Sequence, residues 1–272
     1  MSEPEVPLEA PPALSQLLAQ RRGLILGVSS PDSLGYWLAR YFRASGAEVA
    51  VSVRPGRDGW ARCLREEHGL LPVELEAANE SSFERAVSSV GERFGRLDFL
   101  VHTLVHVPEG ALSRPITSLS GEELATAMDI GVRSLLVAAR FSEPWLLRSA
   151  SPRIVCLLSA GADFAMPNYH VVGLVKAALG AANRYLAAEL GPKGVLCNAL
   201  SCSILPTRAA ERVIGGEQTN QTRNYLAKRC MTKRALELQD VAASAAFLAS
   251  PLCSQLAGEV LNVDGGFSRS YF

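Results

Sequence analysis

Apolar strands alternating with helical segments predict an α/β chain, a doubly wound, mainly parallel sheet with helices on both faces. Two observations carry that prediction. Runs such as "RIVCLLS" and "VLCNALSC" are rich in valine, isoleucine and leucine along their length, as expected of strands buried on both faces. Between such runs stand segments of helical period, among them "SSFERAVSSVGERFGRLD", in the strand–helix rhythm of crossover connections. The 272 residues show no internal repeat and no compositional break, so a single three-layer domain is expected.

The elements follow in order. "RGLILGVSS" reads as a strand ending in a turn, and "SLGYWLARYFRASG" as a helix with a glycine stop. "AEVAVSVR" is a second strand. The helix "SSFERAVSSVGERFGRLD" then runs into the strand "FLVHTLVH". "GEELATAMDIGVRSLLVAARFSEPWLL" reads as one helical stretch that Pro144 should end or kink. "RIVCLLS" is a strand, "YHVVGLVKAALGAANRYLAAELG" a long helix and "VLCNALSC" another strand. "LQDVAASAAFLASP" is the last helix before the strand in "GEVLNVDGG". Residues 208–231, "RAAERVIGGEQTNQTRNYLAKRCM", interrupt the compact rhythm.

Composition narrows the function. Lysine plus arginine and aspartate plus glutamate each number 27, so the basic field of a dedicated nucleic-acid binder is missing. The six cysteines show no CxxC pair and the four histidines are dispersed, so no metal site is expected and reduced, mostly buried thiols are. The acidic, proline-rich start does not read as a signal peptide, and residues 1–20 are expected to form a flexible extension before a domain over 21–272. No apolar stretch reaches membrane-spanning length, which makes a cytoplasmic protein the expectation.

A doubly wound sheet binds ligands outside the carboxyl ends of its strands. At the first such end, Gly27 suits a tight turn or the close approach of a phosphate. Ser33 and Leu34 open the next helix, whose first N–H groups can face an anion. The usual GxGxxG spacing is absent, and an ordinary turn is the alternative. The second strand ends in "VRPGR" rather than in an acidic residue. Arg54 and Arg57 could pair there with the extra phosphate of NADPH, although surface arginines are common.

Tyr169 and Lys176 are seven residues apart, about two helical turns, and so share a face. A lysine beside a tyrosine favours phenolate and lowers its pKa. The phenol could then protonate or stabilise a developing oxyanion, with Ser159, at the end of the preceding strand, orienting a substrate carbonyl. His106, in the loop after the strand containing His102, could bind substrate or be a bland surface residue. His102 itself suits packing.

From about Gly23 to Phe267 the chain resembles the short-chain dehydrogenase/reductase superfamily, and within it the enoyl-acyl-carrier-protein reductase branch. The blocks that carry the resemblance are "GVSSPDSLGYWLA", "FGRLDFLVH", "AMPNYHVVGLVKAAL", "LAAELGPKGVLCNAL" and "GEVLNVDGGF", in the family's order and spacing. The resemblance implies a Rossmann-type homotetramer that reduces a thioester-activated enoyl chain. Hydride goes to the beta carbon while the tyrosine–lysine pair supports the enolate oxygen. It also implies that residues 208–231 form a substrate lid in which Tyr225 could line the pocket, and that Phe164 and Met166 shape the acyl site. The backbone of Ile204 and Leu205 would hold the nicotinamide amide, and Thr207 would meet a phosphate.

The chain also departs from that branch. Its first active-site tyrosine corresponds here to Ser159, and the second matches Tyr169. Val105 stands where a small residue or glycine lets the cofactor pass, and Trp37 replaces a glycine of the first helix. "CSILPT" replaces an "AGPIRT"-like segment, and Asp129 a frequent asparagine. The leading expectation is an NADPH-dependent reductase of an activated enoyl, enone or carbonyl compound, with NADH possible and no nucleic-acid or membrane partner. Two alternatives stay open: a non-redox cyclase, dehydratase or isomerase that needs no cofactor, and a catalytically silent partner subunit.

Overall fold

In a computed structural model of the chain, which describes residues 16–270, seven strands form one sheet. They are β1 (Arg22–Leu26), β2 (Glu48–Val53), β3 (Leu71–Glu74), β4 (Phe99–His102), β5 (Arg153–Ser159), β6 (Leu196–Cys202) and β7 (Val260–Val263). All are parallel, in the order β3-β2-β1-β4-β5-β6-β7. The chain builds outward from β1 to β3, then crosses back to lay β4 on the other side of β1. That reversal puts the topological switch point, where doubly wound sheets bind their ligands, at the carboxyl ends of β1 and β4.

Both faces of the sheet are covered, which is why its strands read as apolar throughout. Helices α1 (Leu34–Ala44) and α9 (Leu238–Ala249) cover one face, where Val101, Leu157 and Leu200 meet Phe42, Val241 and Ala245. Helices α3 (Glu80–Phe94), α5 (Ser134–Leu146) and α6 (His170–Leu190) cover the other, where Leu100, Ile154 and Leu158 meet Val87, Leu135 and Leu179. Neighbours such as Leu157 and Leu158 thus serve opposite cores, as the period of two requires.

Several expectations need correction. The ordered fold begins before residue 21: Leu18 is fully buried, and its N–H donates to the Ser45 carbonyl at 2.9 Å. Residues 1–15 of the expected extension lie outside the described residues. A helix, α2 (Asp58–Glu66), and the edge strand β3 fill the stretch between β2 and α3, where no element was expected. The strand expected over residues 99–106 stops at His102, because Thr103 turns back on β1: its hydroxyl donates to the Leu26 carbonyl at 2.6 Å. The single helix expected over residues 121–147 is divided into α4 (Gly121–Met128) and α5 by a π-helical turn over Asp129–Arg133. Pro144 lies in the last turn of α5, which ends two residues later.

The amino ends of β1, β4 and β5 are tied by charge. Arg21, 5% exposed, donates to the Asp98 carbonyl at 2.7 Å and to Ser151 Oγ at 2.7 Å. The Asp98 carboxylate accepts from the Arg22 N–H at 2.8 Å, from the Ser149 hydroxyl at 2.6 Å and from Arg96. These bonds hold it below the usual carboxylate range although burial opposes that. At the opposite edge, α7 (Arg208–Ile214) and α8 (Gly216–Arg229) follow β6.

Candidate active site

Gly27, Ser33, Leu34, Ser159 and Tyr169 lie at the carboxyl edge of the sheet. Gly27 follows β1 with φ of 98°, and a Cβ there would collide with Thr103 Oγ1. Both constraints select glycine. Gly35 makes the close approach of α1 to this turn, since a Cβ on it would lie 2.8 Å from the Gly27 carbonyl oxygen. The space expected to conflict with Trp37 is therefore needed two residues earlier. Trp37 itself is half-buried and packs against the α1 face of the core.

Ser33 caps α1 by accepting from the Tyr36 N–H at 3.3 Å, while its own hydroxyl donates to the Ser30 carbonyl at 2.7 Å. A cap of this kind is worth about 1 kcal/mol. Leu34 is the first residue of α1. Arg54 and Arg57 are exposed beyond the end of β2. Arg54 lies near enough to His106 to act with burial in pushing its imidazole pKa down. Those two side chains thus share a neighbourhood across β1. Val105, in the loop after β4, is 37% exposed.

Ser159 ends β5, and Tyr169 is the residue immediately before α6. The Tyr169 hydroxyl donates to Ser159 Oγ at 2.9 Å. Its ring lies against Gly161, where a Cβ could not be accommodated. Lys176, two turns into α6, is buried, and its ammonium donates to the Leu157 carbonyl at 2.5 Å.

The expected lowering of the phenol pKa is overturned. Burial pushes Tyr169 up to about 12, with the Ser159 hydrogen bond opposing and Cys202 adding to the rise. Lys176 is itself pushed down by burial, opposed by Cys202 and Cys156. The lysine is thus engaged below the strand end, and the tyrosine is a protonated donor at neutral pH.

The remaining expected residues separate. Leu205 is buried in the core, and its carbonyl accepts from the Thr207 N–H at 2.9 Å. Thr207 is buried, and its hydroxyl caps α7 by accepting from the Ala210 N–H at 3.2 Å. Phe164 is 48% exposed, while Met166 is half-buried with its sulfur beside Gly161. Tyr225 is 57% exposed, and its hydroxyl accepts from Arg229 at 3.2 Å. It is paired on the surface of α8, not brought to the tyrosine–serine pair.

Other contacts were not anticipated from sequence. Arg208 at the start of α7 pairs with Asp32 of the β1–α1 loop at 3.1 Å, so the expected lid is tied to the expected phosphate turn. His102 is fully buried at the end of β4. The Ser134 hydroxyl donates to the Ile130 carbonyl at 2.6 Å, so the 2.7 Å bond to His102 has the imidazole Nε2–H as donor. Nδ1 has no hydrogen-bond partner, and burial, then the nearby Lys176 charge, pushes the pKa to about 3. Asp129, in place of the frequent asparagine, forms an ion pair with Arg133 within the π turn.

A strand order that reverses beside β1, with a tyrosine–serine pair and a buried lysine on β5 and α6, agrees with a family match over the fold. A family model described as Enoyl-(Acyl carrier protein) reductase covers residues 27–268. The chain belongs to this family.

It thereby belongs to the short-chain dehydrogenase/reductase superfamily. The enoyl-[acyl-carrier-protein] reductase [NADH] of Neisseria meningitidis is 33% identical, over 92% of this chain and 96% of that one. The protein of that name from Escherichia coli is 31% identical, over 92% and 95%. Among solved structures, the Anaplasma phagocytophilum reductase in complex with NAD superposes with a TM-score of 0.86 at 27% identity, covering 95% of each chain. Among the described residues, no helix is long and apolar enough to cross a membrane.

Proposed function

We propose that this reductase-family member reduces the double bond of a thioester-activated enoyl chain, using a nicotinamide dinucleotide. The observation that carries this reading is the 2.9 Å bond from Tyr169 to Ser159 beside the switch point at β1 and β4. The switch point suits a dinucleotide. Gly27 takes a backbone conformation that favours glycine, α1 presents its amino terminus, and no carboxylate among the described residues forms an ion pair with exposed Arg54.

When bound, the nicotinamide supplies hydride. Tyr169 holds its proton at neutral pH and can give it to a substrate oxygen as negative charge develops there. Ser159 offers that oxygen a second hydroxyl. Lys176 holds the end of β5, and with it Ser159, through its bond to the Leu157 carbonyl. Arg54 and Arg57 support a preference for NADPH, in contrast to the NADH in the names of the two relatives. Helices α7 and α8 serve as the lid, with Phe164 and Met166 on the acyl side and Leu205 and Thr207 near the cofactor. A carrier protein presents the thioester.

A homotetramer is the proposed assembly, supported by the exposed apolar residues Leu136, Leu174 and Tyr185 on α5 and α6. The six free thiols support a cytoplasmic location. A second reading, reduction of a ketoacyl carbonyl, is favoured by Ser159: two hydroxyls 2.9 Å apart can converge on one oxygen.

The first experiment is a binding titration with NADPH and NADH, followed by turnover of enoyl and ketoacyl pantetheine thioesters. NADPH binding with enoyl turnover upholds the proposal. Ketoacyl turnover alone selects the second reading. Failure to bind either nucleotide overturns both in favour of non-redox chemistry or a silent subunit.

A further inference from the structure

A second cluster of reactive side chains lies outside the candidate active site, where α2 ends against α1. Cys63 is on α2, Glu67 follows its last residue, and His68 comes next. One ligand atom from each lies within 4.8 Å of the others. Cys63 Sγ is 3.8 Å from His68 Nε2, and Tyr36 Oη of α1 is 3.0 Å from the same nitrogen.

We propose that Cys63, Glu67 and His68 form a zinc(II) site that staples the end of α2 near α1. The spacing fits the ion. A thiolate at about 2.3 Å and an imidazole nitrogen at about 2.0 Å from a tetrahedral zinc stand roughly 3.5 Å apart. The donor set fits as well. One sulfur, one nitrogen and one carboxylate oxygen suit zinc, whereas magnesium and calcium take oxygen ligands. Three protein ligands leave a fourth position for water. Tyr36 lies at the rim, where its hydroxyl can bond that water once the imidazole lone pair is taken.

The ligating forms are a thiolate, a carboxylate and a neutral imidazole. Burial raises the Cys63 thiol pKa, and neighbouring Glu67 raises it further. A divalent ion would reverse that repulsion by binding both groups. On binding, the thiol proton passes to solvent and the sulfur electron pair to the metal, with no change of oxidation state. Burial and Arg40 hold the His68 pKa down while Glu67 opposes them. Arg40, stacked over the Tyr36 ring at 5.6 Å, is the opposing charge on α1. Thiolate and carboxylate together outweigh it.

The test is to titrate the reduced full chain with cobalt(II), reading thiolate-to-cobalt absorption, and then displace cobalt with zinc against a chromophoric chelator. One equivalent should bind. Cys63→Ser should abolish the absorption, and His68→Gln and Glu67→Gln should each weaken zinc at least tenfold. Cys230→Ser should leave binding unchanged. No absorption in the parent chain, or absorption that survives Cys63→Ser, overturns the proposal. Circular dichroism checks each fold. Should Cys63→Ser fail to fold, unchanged zinc affinity in His68→Gln overturns it as well.

Discussion

The Tyr169 hydroxyl donates to Ser159 Oγ at 2.9 Å, so a residue just before α6 and the last residue of β5 meet at one point. With the phenol pKa pushed up to about 12, the pair is a proton donor backed by a second hydroxyl. Tyr169→Phe should lower turnover by about 10²–10⁴-fold with the fold intact. Ser159→Ala, which removes one neutral hydrogen bond, should cost about tenfold. Steady-state kinetics with circular dichroism checks both.

Lys176 should be intolerant of its nominal equivalent. Its compact ammonium is buried and reaches the Leu157 carbonyl at 2.5 Å, a geometry that the broad, planar guanidinium of arginine does not reproduce. Lys176→Arg and Lys176→Met should therefore both lose turnover by on the order of a hundredfold. Lys176→Met alone should gain or keep thermal stability, because it removes a desolvated charge.

His102 should make the fold acid-sensitive. Below about pH 6.5 the unfolded chain takes up a proton on this imidazole, whereas the folded chain resists protonation down to about 3. Protonation thus favours the unfolded state, and stability falls as pH drops through that window. The slope from this residue approaches about 1.4 kcal/mol per pH unit. Denaturant titrations of the parent and His102→Asn between pH 7 and 4 should show a shallower loss in the variant.

Arg54 should set nucleotide choice. Arg54→Ala should weaken NADPH by roughly tenfold, the loss of one charge-assisted contact, and leave NADH nearly unchanged. Equal losses for both nucleotides would assign the arginine a role unrelated to the 2′-phosphate. Fluorescence titration distinguishes these outcomes.

Asp32→Asn should loosen α7 from the β1–α1 loop without weakening the fold. The Arg208 side chain in this ion pair is 73% exposed, so the change in stability should stay within about 0.5 kcal/mol. Limited proteolysis at the arginines of α7 and α8 should nevertheless accelerate.

The sheet and the tyrosine–serine–lysine constellation were legible in the sequence because each rests on strong local patterns. Strand β5 occupies the stretch expected for it, and α6 begins one residue late. Helix α2 and strand β3 were not legible. Leu64 is the buried residue of α2, and β3 is a four-residue edge strand containing Pro72, so neither leaves a long apolar period. The Cys63–Glu67 spacing of four was visible as one helical face, yet only if α2 was recognised first. Tyr169's raised pKa was hidden for another reason. Residue spacing placed a lysine near the phenol, but burial of both side chains decides the outcome, and burial is a property of the folded chain.

The buried Arg21–Asp98 cluster lies at the amino ends of β1, β4 and β5, opposite the chemistry. Losing Arg21 would leave the Asp98 and Ser151 main-chain carbonyls without its hydrogen bonds, and losing the Asp98 carboxylate would leave the Arg22 N–H and the Ser149 hydroxyl without theirs. At the far edge the Asp32–Arg208 pair is a weaker tie, because the Arg208 side chain is largely exposed. The end that holds the fold together is thus separate from the end that carries the loops, and a change in those loops leaves the buried ties at the other end in place.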